Sequence, residues 1–143
     1  MDRAGIVGED GPTHSGNFDI SFMRCIPNIV IATPSDENEM RVLLNSCYEY
    51  KGPAAIRYPR GSGKGAEIKK ELSTIEIGKG RKIRDGEETC ILNFGVLIDR
   101  AEEIANELNL GLYDMRFVKP LDHELINNLV PVSYTHLTLP TKA

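Results

Sequence analysis

The fold of the first part of the chain can be predicted from residues 29–58, which read IVIATPSDENEMRVLLNSCYEYKGPAAIRY. Four consecutive apolar residues open it, which is typical of a strand covered on both faces. The apolar residues that follow recur at helical spacing: Met40, Leu43, Leu44, Cys47 and Tyr50. A Gly-Pro pair ends this helix, and a second apolar segment runs over 54–58. Strand, helix and strand in this order predict a βαβ unit and a parallel sheet.

The flanks of this unit give further local predictions. Residues 1–7 are predicted to be the tail of a strand, and the apolar residues of 18–26 predict a short helix before Pro27. The main helix is predicted to begin within 33–37. Its caps would come from Thr33-Pro34-Ser35, and two acidic residues after them suit the positive end of the helix dipole.

A second unit of the same kind follows residues 61–77, which are rich in Gly, Lys and Glu and predict a linker. The pattern then predicts an edge strand at 79–84, a buried strand at 89–94, a strand at 110–117 and a short amphipathic helix through 129. Between the second and third of these lies a helical stripe: Ile98, Ala101, Ile104, Ala105 and Leu108. The fold class is therefore α/β, with partial parallel-sheet domains at 1–60 and 78–130.

The last residues, 131–143, do not continue either pattern. They resemble the translation of a transposon-end adapter used in sequencing libraries, so we predict a non-native tail and leave His136 out of the functional argument. A native strand is the alternative.

Bulk composition excludes several classes of protein. The chain has 143 residues, 41% hydrophobic and 27% charged, with a formal net charge of −4 and no concentrated basic face, which disfavours a nucleic-acid binder. No apolar run approaches the roughly 20 residues of a membrane span, and no signal peptide is visible. The three cysteines have neither zinc nor disulfide spacing, so we expect buried, reduced thiols and, weakly, a cytoplasmic protein.

The loop at residues 8–16, hereafter the 8–16 loop, is the first candidate site. It contains three glycines and a proline, and it follows a predicted strand, where open α/β sheets bind ligands. It presents Glu9, Asp10 and His14 close together. A turn in which Asp10 caps backbone amides is the structural alternative, and no metal site is predicted, because these residues lack further ligands.

Two arginines near the end of the 54–58 segment are the second candidate. Arg60 lies between Pro59 and Gly61, so its guanidinium is fixed on a loop and suits bidentate binding of a phosphate. Taken alone, an exposed ion pair is the commoner role for such a residue. Arg57 lies within the predicted strand and is expected to form a structural ion pair.

Several motifs, in this order, resemble those of the 1-deoxy-D-xylulose-5-phosphate synthase family. They are DRAGIVGEDGPTH at 2–14, RCIP at 24–27, TPSDENE at 33–39, GP at 52–53, RYPRG at 57–61 and DMRFVKPLD at 114–122. Transketolases share the GEDGPTH core but not the residues that lead into it. The resemblance covers about residues 1–130.

The resemblance implies a function and its parts. Residues 1–60 would be the second half of a thiamine-diphosphate pyrimidine-binding domain, and 78–130 the start of a transketolase C-terminal domain. Asp10 and His14 would be catalytic, and Arg60 would hold the phosphate of glyceraldehyde 3-phosphate, which is condensed with pyruvate. Thiamine diphosphate and Mg²⁺ would be bound largely by residues outside this chain, so this segment alone would be inactive. A homodimer, cytoplasmic in bacteria or located in a plastid, is implied for the full-length enzyme.

Two other functions are compatible with the residues. One is another thiamine-diphosphate transferase, such as a transketolase, which takes sugar phosphates in both half-reactions. The other is a non-catalytic α/β module that binds a phosphorylated metabolite or a protein partner.

Overall fold

The computed structural model describes residues 1–5, 7–8 and 10–129. Its first half contains, in order, α1 (Asp19–Arg24), β1 (Val30–Ala32), α2 (Glu37–Glu49) and β2 (Ala54–Ile56). Its second half contains β3 (Arg81–Arg84), β4 (Cys90–Asn93), α3 (Ile98–Glu107), β5 (Gly111–Asp114), β6 (Phe117–Lys119) and α4 (His123–Leu129). The predicted tail at 131–143 and Glu9 lie outside the described residues, and the tail and the domain boundaries stay predictions.

The first sheet confirms the predicted βαβ unit. Its strand order is β2-β1-β6, and β1 pairs in parallel with β2, with Val30 opposite Ala54. All three residues of β1 are buried, as a strand covered on both faces requires. One face of the sheet packs on the apolar side of α2, where Leu43 and Cys47 contact Val30 and Phe117.

Helix α2 begins slightly later than predicted. Asp36, rather than Thr33 or Ser35, is the N-cap, and its carboxylate accepts a hydrogen bond from the Glu39 backbone N–H at 2.8 Å. Asp36 is extended, at φ −155°, so its side chain can reach back to the first turn. Thr33, Pro34 and Ser35 therefore precede the helix at the carboxyl end of β1, where they border two cavities.

The second sheet has the order β3-β5-β4 and confirms the second βαβ unit. β4 and β5 are parallel. β3 lies at the sheet edge, as predicted, and pairs antiparallel with β5. The prediction of a buried strand at 89–94 is wrong in part, because Leu92 is 37% exposed and Phe94 39% exposed. Helix α3 buries Ile98, Ala101 and Ala105 against this sheet, whereas Ile104 and Leu108 are exposed.

The predicted single strand at 110–117 is wrong. The chain forms β5 in the second sheet, breaks at Met115 and Arg116, and continues as β6 in the first sheet, antiparallel to β1. Arg116 has a positive φ of 58°, which no continuous strand contains. Its backbone carbonyl accepts a hydrogen bond from the Thr33 N–H at 2.7 Å. One segment therefore joins both sheets.

Buried charges reinforce this junction. The Glu39 carboxylate of α2 accepts two hydrogen bonds from Arg116, at 2.8 and 3.0 Å, and lies 3.2 Å from the Arg81 guanidinium. Arg81 also binds Asp114, which is fully buried and accepts a 2.8 Å bond from the Ser35 hydroxyl. Two carboxylates and two guanidiniums thus balance, as a buried ionic cluster requires.

Residues 61–77 form no regular element, yet they are bound along the polar side of α2. Backbone N–H groups of Gly65 and Ala66 donate to the Glu37 carboxylate, and Asn38 accepts from the N–H of Lys69. Further along the helix, Arg41 donates hydrogen bonds to the backbone carbonyls of residues 69–71, and Asn45 donates to the carbonyl of Ser73. Ser46 Oγ in turn accepts a hydrogen bond from the Ile75 N–H. The predicted linker therefore runs beside α2 in the same direction as the helix.

Several apolar residues of the predicted helices face outward. In α1 only Met23 of the large apolar residues is buried, whereas Phe22 is 59% exposed, and Phe18, just before the helix, is 76% exposed. The expectation of buried cysteines holds for Cys47, is met only in part by Cys90, which is half-buried, and is wrong for Cys25, which is exposed just after the end of this short helix. Within the described residues, no helix is long and apolar enough to cross a membrane.

Candidate functional site

Backbone geometry and backbone contacts shape the 8–16 loop. Gly11, at φ 75°, leads into a 3₁₀ turn at Pro12–His14, and Pro12 is preset for its first position. The loop closes at Gly16, whose N–H donates to the Gly5 carbonyl at 3.0 Å. A side chain at Gly16 would collide with the Arg3 carbonyl, so only glycine fits there.

The predicted strand tail at 1–7 is wrong as a regular strand. Among its described residues, Ala4 and Gly5 form only isolated bridges to Gly16. The segment instead lies beside the end of β2, where the Ala4 N–H donates to the Tyr58 carbonyl and the Tyr58 N–H donates to the Met1 carbonyl, both at 3.0 Å. This arrangement brings the first residues of the chain, the 8–16 loop and the end of β2 together.

Two arginines converge on Asp10. Its Oδ2 accepts a hydrogen bond from Arg3 Nε at 3.2 Å and forms an ion pair with Arg60 Nη1. The side chains of Asp10, Arg3 and Arg60 are 22%, 37% and 45% exposed, so the cluster is open to solvent on one side. The structure thus joins two of the predicted site residues and adds Arg3, which the residue-by-residue reasoning missed.

His14 lies in the same loop and faces solvent. Its Nδ1 is 3.0 Å from the Asp10 backbone carbonyl and 3.1 Å from Thr13 Oγ1. Because a carbonyl oxygen can only accept, the first contact is a hydrogen bond in the Nδ1–H tautomer. That tautomer leaves the Nε2 lone pair available to take up a proton.

A cavity of about 230 Å³ lies at the carboxyl ends of β1 and β2. Thr33, Arg57 and Pro59 line it from the first half, and residues 94–97 line it from the loop after β4. Arg57 forms the structural ion pair predicted for it, donating from Nε to Asp19 Oδ2 at 2.5 Å. The position agrees with the general location of ligand sites in open α/β sheets.

A larger cavity, of about 470 Å³, lies between the start of α2 and residues 58–64. Its charged groups are already paired. The hydrogen bond from Lys64 to Asp99, 2.6 Å long, raises the pKa of the lysine, and the Gly65 N–H lowers the pKa of Glu37. Asp10, His14 and Arg60 do not line either cavity, although the two neighbours of Arg60 in sequence border this one.

The described residues do not fit Mg²⁺. In residues 1–5, 7–8 and 10–129 no group of three or more His, Cys, Asp or Glu side chains could hold a metal ion. The carboxylate of Asp10 is engaged by two guanidiniums, and that of Asp19 by a third.

Comparisons with known proteins agree with this architecture. Residues 1–64 match the transketolase pyrimidine-binding domain, and residues 78–140 match the transketolase C-terminal domain. The chain belongs to the transketolase family. The match to the second domain extends into residues beyond those that the structure describes.

Within the transketolase family, two similar relatives of this chain are 1-deoxy-D-xylulose-5-phosphate synthases. The chain is 60% identical over 129 residues to 1-deoxy-D-xylulose-5-phosphate synthase of Photobacterium profundum, covering 90% of this chain and 21% of that protein. It is 54% identical over 143 residues to the synthase of Cellvibrio japonicus, covering all of this chain and 22% of that one. The chain therefore spans about a fifth of the length of the curated relatives it matches. The resemblance to the 1-deoxy-D-xylulose-5-phosphate synthase family that the sequence motifs indicated is confirmed.

A solved structure supports the fold. A split-gene transketolase, described as an inactive β4 tetramer, matches with a TM-score of 0.76 and 27% identity over 85% of this chain and 42% of that one. The arrangement of a partial pyrimidine-binding domain followed by a C-terminal domain is thus confirmed at the level of the fold.

Proposed function

We propose that this chain is the part of a 1-deoxy-D-xylulose-5-phosphate synthase that holds the acceptor substrate, glyceraldehyde 3-phosphate, and manages protons during its condensation with pyruvate. The observation that carries the proposal is the convergence of Arg3 and Arg60 beside the 8–16 loop. Two guanidiniums that share one partially exposed carboxylate can also share a phosphate, which offers them more acceptor oxygens.

The roles of the residues follow from their contacts. Arg3 and Arg60 bind the phosphate and so orient the aldehyde. His14, with its Nδ1 on a backbone carbonyl, presents Nε2 as the group that takes up or returns a proton, and Asp10 binds substrate hydroxyls. Thiamine diphosphate supplies the carbon–carbon chemistry when it is bound. It is proposed to be held with Mg²⁺ largely by residues outside this chain, so the chain alone is expected to be inactive. The full-length protein is proposed to be a homodimer of the bacterial cytoplasm.

The experiment uses a full-length chimera, in which residues 1–129 of this chain replace the matching segment of the Photobacterium profundum relative. The chimera is expected to form 1-deoxy-D-xylulose 5-phosphate from pyruvate and glyceraldehyde 3-phosphate, and the 143-residue chain alone is expected to form none. A folded chimera that decarboxylates pyruvate but does not use the aldehyde would contradict the proposal. Use of sugar phosphates as donors in place of pyruvate would indicate a transketolase instead.

A further inference from the structure

One guanidinium holds both the end of the 8–16 loop and the start of α1. Arg57 Nη2 donates to the Gly16 carbonyl at 2.8 Å, and Arg57 Nε donates to Asp19 Oδ2 at 2.5 Å. The side chains of Arg57 and Asp19 are only 18% and 6% exposed. The backbone of Arg57 is itself fixed, because its N–H donates to the Ala32 carbonyl of β1 at 2.8 Å. The loop is thereby tied to the sheet.

Asp19, the first residue of α1, is a buried carboxylate, which is energetically unfavourable at the start of a helix. It is 5% exposed, and its Oδ1 has no hydrogen-bond partner among the described residues. A buried carboxylate with one unsatisfied oxygen lowers the stability of the fold, so stability does not explain why an aspartate stands here. Its contacts suggest instead that it orients the Arg57 guanidinium. The bond to Asp19 fixes the plane of the Arg57 guanidinium, and that plane places Nη2 on Gly16.

The position of Gly16 matters for the candidate site. Both of its backbone polar groups are engaged, the N–H by Gly5 and the carbonyl by Arg57. It lies two residues after His14, and so the far end of the loop cannot shift without moving the imidazole. Arg57 also lines the cavity at the carboxyl ends of β1 and β2, so the same side chain borders the loop and the space beside it.

We propose that Arg57, oriented by Asp19, is a positioning residue that holds the 8–16 loop so that Asp10 and His14 meet the acceptor substrate. This inference rests on the function proposed above and adds two residues to its site. Arg57 acts through Gly16 and does not itself contact the reacting atoms. Lysine keeps the charge but has one nitrogen in place of the planar fork, so it cannot make both bonds in this geometry.

The test compares three variants of the full-length chimera: Arg57→Lys, Arg57→Met and Asp19→Asn. Arg100→Met is the matched control, because Arg100 forms an exposed ion pair on α3 and its side chain is 80% exposed. Steady-state kinetics are measured for both substrates. Hydrogen exchange is measured for the peptide that covers residues 8–18, and melting temperature is recorded beside both.

Displacement of a catalytic group by about 1 Å can cost about 10²-fold in rate, so kcat is expected to fall by about that factor in Arg57→Lys and Asp19→Asn. The KM for pyruvate should change much less, and loop exchange should accelerate at least tenfold while the control matches the parent. Asp19→Asn keeps the shape of the side chain and serves where Arg57→Met does not fold.

Unchanged kcat with faster loop exchange would overturn the proposal, and so would a fall in kcat and melting temperature with unchanged loop exchange. The second result would make the pair purely structural. If the parent chimera forms no product, the proposed function fails separately. Loop exchange then decides the inference: faster exchange in Arg57→Lys supports the clamp, and unchanged exchange overturns it.

Discussion

Replacing Arg60 with alanine in the full-length chimera is expected to weaken the binding of glyceraldehyde 3-phosphate and to leave that of pyruvate nearly unchanged. The reason is the contact of Arg60 with Asp10, which shows that its guanidinium reaches an anion beside the 8–16 loop. A phosphate bound there would accept a hydrogen bond from the same group. Pyruvate lacks a phosphate and so loses nothing by the substitution.

The size of the effect follows from exposure. A hydrogen bond to a charged group contributes about 1.5–3 kcal/mol, and partial exposure screens it. Because Arg60 is 45% exposed, the lower part of that range applies. A loss of about 1.5–2 kcal/mol corresponds to a rise of about 10- to 30-fold in the KM for the aldehyde. Arg3, at 37% exposure, should show a similar rise when replaced by alanine.

The assay is a double-mutant cycle on Arg3 and Arg60, with KM and kcat measured for each substrate. Both guanidiniums contact one carboxylate, so their effects should be non-additive by at least about 0.5 kcal/mol. Arg100→Ala is the control for a lost positive charge. An equal rise in KM for both substrates would refute the phosphate assignment, as would additive effects with no preference for the aldehyde.

Four further outcomes are expected. His14→Ala should lower kcat by about 10²–10⁴-fold and change KM less, as steady-state kinetics of the chimera will show. Asp122→Ala should cost about 1–3 kcal/mol in urea unfolding, because the Asp122 carboxylate accepts hydrogen bonds from two backbone N–H groups. Burial raises the pKa of Asp122, but these two bonds and the positive charge of Lys79 together lower it, so the wild-type advantage should fade as the pH drops below about 4. Glu39→Gln should cost about 3 kcal/mol in the same assay, because Arg116 loses its buried charged partner and Arg81 keeps only Asp114. Burial raises the pKa of Cys47 to about 11, so the unfolded thiol ionises first and stability should fall by up to about 3 kcal/mol between pH 9 and 11, a loss that Cys47→Ala removes.

The two βαβ units could be predicted because their signals are local. The run that forms β1 is apolar at every position, and α2 repeats its apolar residues at helical spacing. Parallel pairing then follows from the order of the elements. No distant contact is needed for any of these steps, and the structure confirms each of them.

The break in the predicted strand at 110–117 could not be found in this way. Its residues are mostly apolar and continuous, and nothing local marks Arg116 as a residue with positive φ. The contacts that hold it there come from Glu39 and from Thr33, 77 and 83 residues away in sequence. The passage of the chain from β5 in one sheet to β6 in the other therefore depends on the ion pair between Arg116 and Glu39, and these two residues meet only in the folded chain.

The course of the segment at 61–77 could not be predicted, for a related reason. The polar residues of α2 that bind it recur at helical spacing: Glu37, Asn38, Arg41 and Asn45. A helix whose polar face contacts water shows the same spacing, so the pattern cannot distinguish solvent from a bound chain. A linker was the reasonable prediction from composition, and its course along α2 could be learned only from the structure.

Arg57 and Arg60 lie at the same strand end but differ in burial. Both follow β2, and both pair with an aspartate of the first 19 residues. The side chain of Arg57 is 18% exposed and that of its partner Asp19 is 6% exposed, so breaking this ion pair would leave a buried charge without a partner. Arg60 is 45% exposed and its partner 22%, so it can exchange Asp10 for a ligand at little cost. The difference in burial therefore supports the two proposals, in which the first arginine holds the loop and the second binds the substrate.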